Sequence, residues 1–312
     1  MSAQVLVTGG AGYLGSILCE HLLHSGYGVT VLDSLRYGGR GLFHLCSHPR
    51  FDFVHGDVRD EPLVRSLVAK ADVIVPLAAI VGAPACALEP DLAQAINLDA
   101  IRLINRVRSA SQLVIFPTTN SGYGATKGPT MCDEDTPLEP ISLYGRTKAH
   151  AEAELLASGN VIALRFATLF GMSPRMRLDL LVNHFVHAAV TDGYLVIFER
   201  DFVRNFLHVR DAADCVRHCL EHAAGMVERS YNVGLNTANL SKEALALKIK
   251  GHVPAFYLHF APIGRDPDQR NYVVSNERLR QAGFEARRDV DSGIRELITG
   301  YRLMASHLLG NA

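Results

Sequence analysis

The sequence has few features of a disulfide-stapled or metal-binding protein. None of its six cysteines forms a C-x-x-C pair, and the two closest, Cys215 and Cys219, are four residues apart as on one helix face. This scatter predicts reduced thiols in a cytoplasmic protein rather than a disulfide framework or a zinc site. The fourteen histidines are dispersed, and His184 and His187 have no carboxylate spaced to share a metal with them. We therefore expect no metal site.

An excess of charge of one sign is also lacking. The 312 residues include 31 Lys and Arg against 32 Asp and Glu, for a formal net charge of -1. This balance gives no electrostatic basis for binding nucleic acid or an anionic membrane. No apolar run reaches the roughly 18 residues that a membrane span needs. The first residues run directly into an apolar strand pattern, which predicts no secretory leader and a cytoplasmic location.

Strand and helix patterns alternate through the first 170 residues. Strands are predicted at 4–8, 29–33, 51–57, 72–79, 112–119 and 160–171, and helices at 13–26, 62–71, 89–109 and 142–158. This alternation is typical of an α/β fold with a doubly wound parallel sheet that carries helices on both faces. After residue 170 the rhythm loosens, although a last helix is predicted near 290–306.

Because the alternation of strand and helix patterns weakens after residue 170, we predict two parts, one regular and one irregular. We expect residues 1–170, with about 202–224 returning to them, to form a Rossmann domain that binds a dinucleotide. We expect about 171–201 and 225–312 to form a smaller, irregular lobe that binds the substrate.

A glycine-rich stretch, VTGGAGYLGS, lies between the first predicted strand and the first helix. Gly10, Gly12 and Gly15 have the spacing G-x-G-x-x-G, and Asp33 ends the next strand, 21 residues after Gly12. In a dinucleotide site such glycines let the backbone approach the pyrophosphate at a helix N-terminus, and the acid holds the ribose hydroxyls. Because a carboxylate repels a 2′-phosphate, the pattern predicts NAD rather than NADP.

Two residues near this stretch leave alternatives open. Arg36 lies three residues after Asp33, and its guanidinium could bind the 2′-phosphate of NADP. Asp57, in HGDVRD, could accept a hydrogen bond from the adenine amino group or could simply belong to a turn.

The candidate catalytic residues lie on a predicted helix and on the strand before it. Tyr144 and Lys148, in LYGRTK, are four residues apart and therefore share one helix face. A tyrosine has a pKa of about 10 in water, and a neighbouring ammonium lowers it toward the range of a useful base. Such a pair can take a proton from a sugar hydroxyl while a nicotinamide accepts the hydride from the same carbon. Thr119, at the end of the fifth strand, could share the hydrogen bond to the reacting oxygen.

These motifs together resemble the extended short-chain dehydrogenases/reductases that act on nucleotide sugars. TGGAGYLG is similar to the family's cofactor loop, PLAA (76–79) to its fourth-strand segment, and INLDA to the helix that carries Asn97. LYGRTK matches the Tyr–Lys motif, and LRFATLFG resembles the stretch that closes over the nicotinamide. RNFLHVRD (204–211) and DPDQRNY are similar to two later motifs whose arginines, here Arg204 and Arg270, meet the substrate diphosphate.

The resemblance implies a set of site residues and an assembly. The implied cofactor contacts are Gly9, Gly12, Tyr13, Leu14, Gly15, Asp33, Ser34, Asp57, Val58, Leu77, Ala78, Ala79, Asn97, Thr118, Tyr144, Lys148 and Phe166. The implied substrate contacts are Thr119, Asn120, Ser121, Arg175, Arg177, Arg204 and Arg270. A homodimer or higher homo-oligomer is also implied, in which the helices near 90–109 and 142–158 pair into a four-helix bundle.

The sequence departs from the family's 4,6-dehydratases directly after the catalytic threonine. Those enzymes carry an Asp-Glu or Ser-Glu pair there, whereas Asn120 and Ser121 follow Thr119. Because neither side chain is a carboxylic acid, elimination of water is poorly supported. What remains is oxidation at C4, either as the net reaction or as half of a 4-epimerisation.

Several stretches resemble a narrower group, the GDP-heptose 4-dehydrogenases of capsule polysaccharide biosynthesis. They are LAAIVGAPAC, TTNSGYG, ATLFGMSPRMRLDLLVN and IGRDPDQRNYVVSN. This resemblance implies that Arg175 and Arg177 line the sugar or phosphate side of the site. The alternative for both arginines is a solvated loop.

We therefore expect an NAD-dependent 4-dehydrogenase of a nucleotide-diphosphate sugar. A 4-epimerase is the first alternative, and a 4,6-dehydratase is the less favoured one. A non-catalytic Rossmann protein that senses a dinucleotide or acts as a scaffold is the alternative outside the enzymes.

Overall fold

A computed structural model describes residues 3–124, 131–262 and 271–304 of the chain. The strands in these ranges are β1 (Gln4–Thr8), β2 (Gly28–Asp33), β3 (Phe51–His55), β4 (Val73–Pro76), β5 (Leu113–Thr119), β6 (Met131–Cys132), β7 (Val161–Phe166), β8 (Thr168–Phe170), β9 (Tyr194–Ile197), β10 (Val203–His208), β11 (Arg229–Val233), β12 (Asn239–Ser241), β13 (Tyr257–Phe260) and β14 (Val273–Val274). The α-helices are α1 (Tyr13–His24), α2 (Glu61–Val68), α3 (Ala83–Leu88), α4 (Pro90–Gln94), α5 (Ala100–Val107), α6 (Leu143–Leu156), α7 (Leu181–Thr191), α8 (Val209–Glu221), α9 (Ala223–Met226), α10 (Lys242–His252), α11 (Glu277–Gln281) and α12 (Val290–Met304).

The main sheet has seven parallel strands in the order β3-β2-β1-β4-β5-β7-β11. Helices cover both faces, as the alternating pattern predicts. Val5 and Val7 of β1 lie in one apolar cluster with α1 and α8, whereas Leu6 lies in another with α2, α5 and α6. Successive side chains of a strand point to opposite faces, so a strand buried on both faces is apolar throughout. The predicted doubly wound α/β fold is confirmed.

The parallel order brings several strand ends to one edge of the sheet. β1 ends at Thr8, β4 at Pro76, β5 at Thr119 and β7 at Phe166. In an open α/β sheet, ligands bind in the crevice outside the carboxyl ends of the strands. Most of the residues predicted for the site lie at this edge.

A second apolar cluster lies outside the main sheet. Helices α7, α10 and α12 pack against one another and bury Phe206, Leu245 and Ile294 among other side chains. Three small sheets accompany them, with the strand orders β12-β10-β8, β13-β9 and β14-β6. This part corresponds to the predicted substrate lobe, whose role stays a prediction.

One boundary differs from the predicted division. All residues from 225 onward are predicted to belong to the second lobe, but β11 pairs with β7 as the edge strand of the main sheet. Residues at about 202–224 are predicted to return to the first domain. Helix α8 does pack against α1, whereas β10 joins the small sheet between β8 and β12. Strand pairing between distant segments decides these positions, and local periodicity carries no signal for it.

The predicted long helix over 89–109 is interrupted. The structure has α4, then a π-helical turn (Ala95–Asp99), then α5, with α3 preceding them. Pro90 opens α4, as expected for a residue that has no N–H to donate inside a helix. Asn97 lies in the π-helical turn, a feature that is frequent at functional sites. Among the described residues, no helix combines the length and apolar character that crossing a bilayer requires.

Candidate active site

The glycine loop between β1 and α1 is packed too closely for larger residues. Gly9 has a φ of +73°, and a Cβ placed on it would lie 2.6 Å from the backbone nitrogen of Ala78. A Cβ on Gly15 would lie 2.5 Å from the carbonyl oxygen of Gly9, and Gly12 caps α1. The loop therefore brings bare backbone and a helix N-terminus to the edge of the sheet, which fits the pyrophosphate of a dinucleotide.

A substitution series can test how strictly the loop requires glycine. We expect Gly9→Ala to lower the free energy of unfolding by more than Gly26→Ala and to abolish tight NAD binding. Gly26 also has a positive φ, +94°, but a Cβ there meets open space. It therefore reports only the conformational cost, roughly 1–2 kcal/mol. Urea unfolding and an NAD titration measure the two effects, and equal unfolding costs at both positions would contradict the packing argument.

Asp33 is held against the glycine loop by two backbone N–H groups. Its Oδ2 accepts from the N–H of Ala11 at 2.9 Å, and its Oδ1 accepts from the N–H of Leu35 at 2.8 Å. The carboxylate stays partly exposed, and Ser34 beside it is exposed. A carboxylate has about four acceptor positions, so Asp33 keeps capacity for ribose hydroxyls.

Asp57 has a strong protein partner of its own. It accepts from the Nε of Arg59 at 2.9 Å and from Nη2 at 2.6 Å, and this hydrogen bonding lowers the pKa of its carboxyl. The neighbouring Val58 is buried. Contacts of both residues with adenine stay a prediction.

The Asn97 side chain forms hydrogen bonds with the backbone of the segment that follows β4. Its side-chain oxygen accepts from the N–H of Ile80 at 2.8 Å, and its amide nitrogen donates to the carbonyl oxygen of Ile80 at 2.9 Å. The side chain is buried, so in this structure it positions the backbone after Leu77, Ala78 and Ala79. A direct contact between Asn97 and the cofactor stays a prediction.

Tyr144 and Lys148 lie one turn apart on α6, where Tyr144 packs near Ile80 and Cys86 and Lys148 packs against β5. Ser142 caps this helix by accepting from the N–H of Gly145, which fixes Tyr144 in the first turn. The Nζ of Lys148 lies 4.0 Å from the centre of the Phe116 ring, and only 4% of the residue is exposed. Burial lowers the pKa of Lys148 to about 7, and the Glu152 carboxylate partly opposes this shift.

Thr119 lies beside this helix at the end of β5. Its Oγ1 accepts from the N–H of Ser121 at 3.1 Å and lies 2.8 Å from the Ser121 hydroxyl. The following 3-10 turn (Asn120–Tyr123) packs against α6, since a Cβ on Gly145 would lie 3.2 Å from the Ser121 carbonyl oxygen. Thr119 pairs in register with Phe166, and Thr118 is buried. The fold thus brings Thr119 and the first turn of α6 to one edge.

Asn120 is the least satisfied polar side chain in this region. The residue is 1% exposed, and in the described part of the chain neither its Oδ1 nor its Nδ2 has a hydrogen-bond partner. Ser121 is also buried. A buried amide without partners costs on the order of 1–3 kcal/mol, so its retention favours a functional role.

The arginines predicted for the substrate lie in different surroundings. Arg175 stacks over Tyr37 at 4.5 Å, whereas Arg177 forms an ion pair with Asp179 and lies within electrostatic range of Tyr144. Arg204 is only 3% exposed, and its Nη1 donates to the Val203 carbonyl oxygen at 3.2 Å. Arg270 lies outside the described residues.

Two other predicted cofactor residues contact protein with their side chains. The hydroxyl of Tyr13 donates to the carbonyl oxygen of Gly171 at 2.7 Å and accepts from Asn183. Leu14 belongs to the apolar core beneath the loop. Any contact of these two residues with a dinucleotide would therefore come from the backbone at the start of α1.

A cavity that the sequence did not predict lies next to the glycine loop. A space of about 470 Å³ is lined by Tyr37 and Arg40 on one side and by residues 174–176 on the other. Gly41 also lines it and abuts the loop, since a Cβ there would lie 3.6 Å from the Ala11 carbonyl oxygen. The signal was present in RYGGR, which follows the strand of Asp33, but nothing in the sequence brings residues 174–176 to it.

Residues 5–234 match the model of the NAD dependent epimerase/dehydratase family. The chain belongs to this family. A dTDP-glucose 4,6-dehydratase of Actinoplanes sp. is 29% identical to it, over 96% of this chain and 98% of the relative. A UDP-glucose 4-epimerase of Lactobacillus helveticus is 30% identical, over 85% of this chain and 87% of the relative.

Solved structures show the same fold at lower sequence identity. A UDP-glucose 4-epimerase of Thermotoga maritima, solved with UDP-glucose, has a TM-score of 0.86 at 22% identity over 97% of this chain and 100% of that chain. A UDP-glucose 4-epimerase of Thermus thermophilus, solved with NAD, has a TM-score of 0.82 at 23% identity over 96% of this chain and 99% of that chain. Together with the family match, they confirm three predictions, namely a Rossmann fold, an enzyme of the extended short-chain type and NAD as the cofactor. The roles of the individual site residues stay predictions.

Proposed function

We propose that the protein oxidises a nucleotide-diphosphate sugar at C4 and transfers the hydride to NAD. The observation that carries the proposal is the grouping of Thr119 with the first turn of the Tyr144 and Lys148 helix at the carboxyl edge of the sheet. The bound nicotinamide supplies the hydride acceptor. The glycine loop, Asp33 and Lys148 are the groups proposed to hold the cofactor.

The protein side chains handle the proton of the reaction. Tyr144, as the phenolate, removes the proton of the C4 hydroxyl while the C4 hydrogen leaves as a hydride. Lys148 in its ammonium form stabilises that phenolate, because a nearby cation favours the charged tyrosine. Thr119 orients the C4 oxygen through its hydroxyl. Arg204 and Arg270 are proposed to hold the diphosphate.

Elimination of water is not part of the proposal, although the chain has dehydratase relatives. Asn120 and Ser121 follow Thr119, and neither can donate a proton as a carboxylic acid does. Identity of 29% with a dTDP-glucose 4,6-dehydratase shows common descent within a family of several reactions. The residues that follow Thr119 are therefore stronger evidence about the reaction than the activity of this relative.

A 4-epimerase is the second candidate. It uses the same proton transfer and differs only in returning the hydride to the other face of the ketone. The 30% identity with a UDP-glucose 4-epimerase supports it. We propose the dehydrogenase first because of the resemblance of the loops to GDP-heptose 4-dehydrogenases, and a GDP-heptose is accordingly the first substrate to test.

The mass of the product decides among these reactions. The purified protein is incubated with NAD and, separately, GDP-heptose, GDP-mannose, UDP-glucose and dTDP-glucose. We expect a product lighter by two hydrogens and the absorbance of reduced nicotinamide. Because the chain has no tryptophan, the fluorescence of the reduced cofactor is also free of indole emission. An unchanged mass with inverted C4 would favour the epimerase, and a product lighter by one water would refute the proposal.

A homodimer in the cytoplasm completes the proposal. Helices α5 and α6, which cover most of the predicted pairing segments, lie side by side. On their exposed surface Arg102 forms ion pairs with Glu154 and Asp99. Ion pairs on an exposed surface can form again with charged residues of a second subunit. This face is therefore compatible with a polar subunit interface.

A further inference from the structure

A third buried ionisable residue follows Tyr144 and Lys148 on the same face of α6. Glu152 is four residues after Lys148, and 3% of it is exposed. Residues four apart on a helix are neighbours, so the carboxylate lies one turn beyond the ammonium. Neither the proton transfer nor the cofactor site described above uses Glu152.

Arg165 on β7 fixes the position of this carboxylate. Its Nε donates to Glu152 Oε1 at 2.8 Å, and its Nη2 lies 2.7 Å from the same oxygen. The Nη1 of Arg165 donates to the Tyr123 hydroxyl at 3.0 Å and to the Glu134 carbonyl oxygen at 3.1 Å. The other oxygen, Oε2, is buried and has no hydrogen-bond partner in the described part of the chain.

Glu152 interacts with two buried basic residues, with Arg165 through an ion pair and with Lys148 through its charge one helical turn away. Arg165 is always protonated, because arginine does not lose its proton in proteins. Lys148 lies over the Phe116 ring, and this cation–π contact offsets only part of the lost hydration. The Glu152 carboxylate is the charge that raises the pKa of Lys148 against the effect of burial, so without it a protonated Lys148 would lose this compensation. The carboxylate therefore favours the ammonium form of Lys148 from a fixed position.

We propose that Glu152, held by Arg165, is a positioning residue that keeps Lys148 in the ammonium form that Tyr144 requires. This inference rests on the proposed function for the role of Lys148, but the effect of Glu152 on Lys148 can be measured without turnover. The unpaired Oε2 is consistent with it, since that oxygen has no competing hydrogen bond among the described residues.

The other groups around α6 are neutral, exposed or paired. Burial raises the pKa of Tyr123 to about 12 and that of Cys86 to about 11, so both are uncharged near neutral pH. Arg177 lies near Tyr144 and forms an ion pair with Asp179. The remaining titratable or charged side chains on α6 and on the elements that pack most against it are Tyr144, Arg146, His150, Glu154, Asp91, Asp99, Arg102 and Arg106.

The direct test is a titration of Lys148 in the folded protein. The chain has six lysines, so carbon-13 labelling of lysine gives few ε-methylene signals, and the Lys148→Met variant assigns the one of interest. We expect Glu152→Gln to lower the titration midpoint of Lys148 by about one pH unit or more. Glutamine keeps an oxygen for Arg165 and removes only the charge. The alkaline limb of the turnover rate should move to lower pH by the same amount, which a purely structural role would not cause.

Glu154→Gln is the matched control. Glu154 lies on the same helix, two residues further on, but is exposed and pairs with Arg102. We expect the Lys148 midpoint to stay unchanged in this variant, since Glu154 lies on the outer side of α6, away from the buried Lys148, and its charge is paired with Arg102. An equal shift in both variants, or none in Glu152→Gln, would overturn the proposal.

A second variant guards against loss of folding in Glu152→Gln. Arg165→Gln removes the guanidinium that fixes the Glu152 carboxylate and favours its charged form, so the Lys148 midpoint should fall, as in Glu152→Gln. A rise or no change would contradict the proposal that Arg165 holds the carboxylate in the form that acts on Lys148. If the midpoints shift as expected but no nucleotide sugar is oxidised, the proposed function fails while the effect of Glu152 on Lys148 stands. If oxidation occurs and the midpoints do not move, only the inference about Glu152 fails.

Discussion

Replacing Tyr144 with phenylalanine is expected to lower turnover by about 10²–10⁴-fold, the typical contribution of a positioned acid or base. The affinity for NAD should be nearly unchanged, because the ring stays in the first turn of α6 and only the hydroxyl is lost. Tyr144 is partly buried, lies one helical turn before Lys148 and is within electrostatic range of Arg177 from the loop after β8. Stopped-flow formation of reduced nicotinamide gives the rate, and an NAD titration gives the affinity.

Tyr301→Phe is the control for loss of a tyrosine hydroxyl. Tyr301 is 2% exposed, and its hydroxyl donates to the Asn183 carbonyl oxygen at 3.0 Å in the second apolar cluster. This variant should lose on the order of 1 kcal/mol of stability and keep wild-type turnover. Turnover of Tyr144→Phe within tenfold of the wild type would mean that another group takes the proton.

Elements whose local pattern agrees with their surroundings could be predicted from the sequence. The strand predicted at 4–8 is β1 (Gln4–Thr8), and the helix predicted at 142–158 is α6 (Leu143–Leu156). Both combine a clear apolar pattern with local end signals, namely glycines after Thr8 and the Ser142 cap before α6. The glycine loop and the Tyr144–Lys148 spacing could be found because the whole motif lies within a few residues.

Features that depend on distant contacts could not be predicted in this way. The π-helical turn at 95–99 coincides with the bond between Asn97 and the backbone of Ile80, 17 residues earlier. The assignment of β11 to the main sheet depends on its pairing with β7. In the sequence, Glu152 is one of several charged residues in the same helix, and nothing local distinguishes it. Its burial as an anion depends on the ion pair with Arg165 on the next strand. Sequence periodicity reports which face is apolar but not which partner covers a polar group.

The burial of Lys148 suggests that its charge costs stability in exchange for function. An ammonium that is 4% exposed beside a phenylalanine ring is poorly solvated, and burial lowers its pKa to about 7. In the unfolded chain a lysine has a pKa of about 10.4. The unfolded state therefore binds more protons than the folded state between about pH 7 and pH 10. In that window the free energy of unfolding rises with pH, and below it the full cost of the buried charge is present.

Replacing Lys148 with methionine should therefore change activity and stability in opposite directions. Turnover is expected to fall by at least about 10²-fold, because the cation that favours the Tyr144 phenolate is lost. NAD affinity should fall as well, since Lys148 is also assigned to the nicotinamide ribose. Methionine is apolar and unbranched, so it can fill the space over Phe116 without a charge. The free energy of unfolding at pH 6 should then exceed that of the wild type by a few kcal/mol, at about 1.4 kcal/mol for each unit of pKa shift.

The pH dependence makes this test specific for the buried charge. Urea unfolding of the cofactor-free wild type and of Lys148→Met is compared at pH 6 and at pH 9.5, so that all other titrating groups cancel in the difference. The stability advantage of methionine should be largest at pH 6 and smaller by about 3 kcal/mol at pH 9.5. About 1 kcal/mol remains there, because the lysine is neutral in the folded wild type but still mostly protonated in the unfolded chain. An advantage that is the same at both values would indicate better packing instead. A loss of stability at pH 6 would show that Lys148 is held by interactions that outweigh its desolvation, and the low pKa assigned to it would then be wrong.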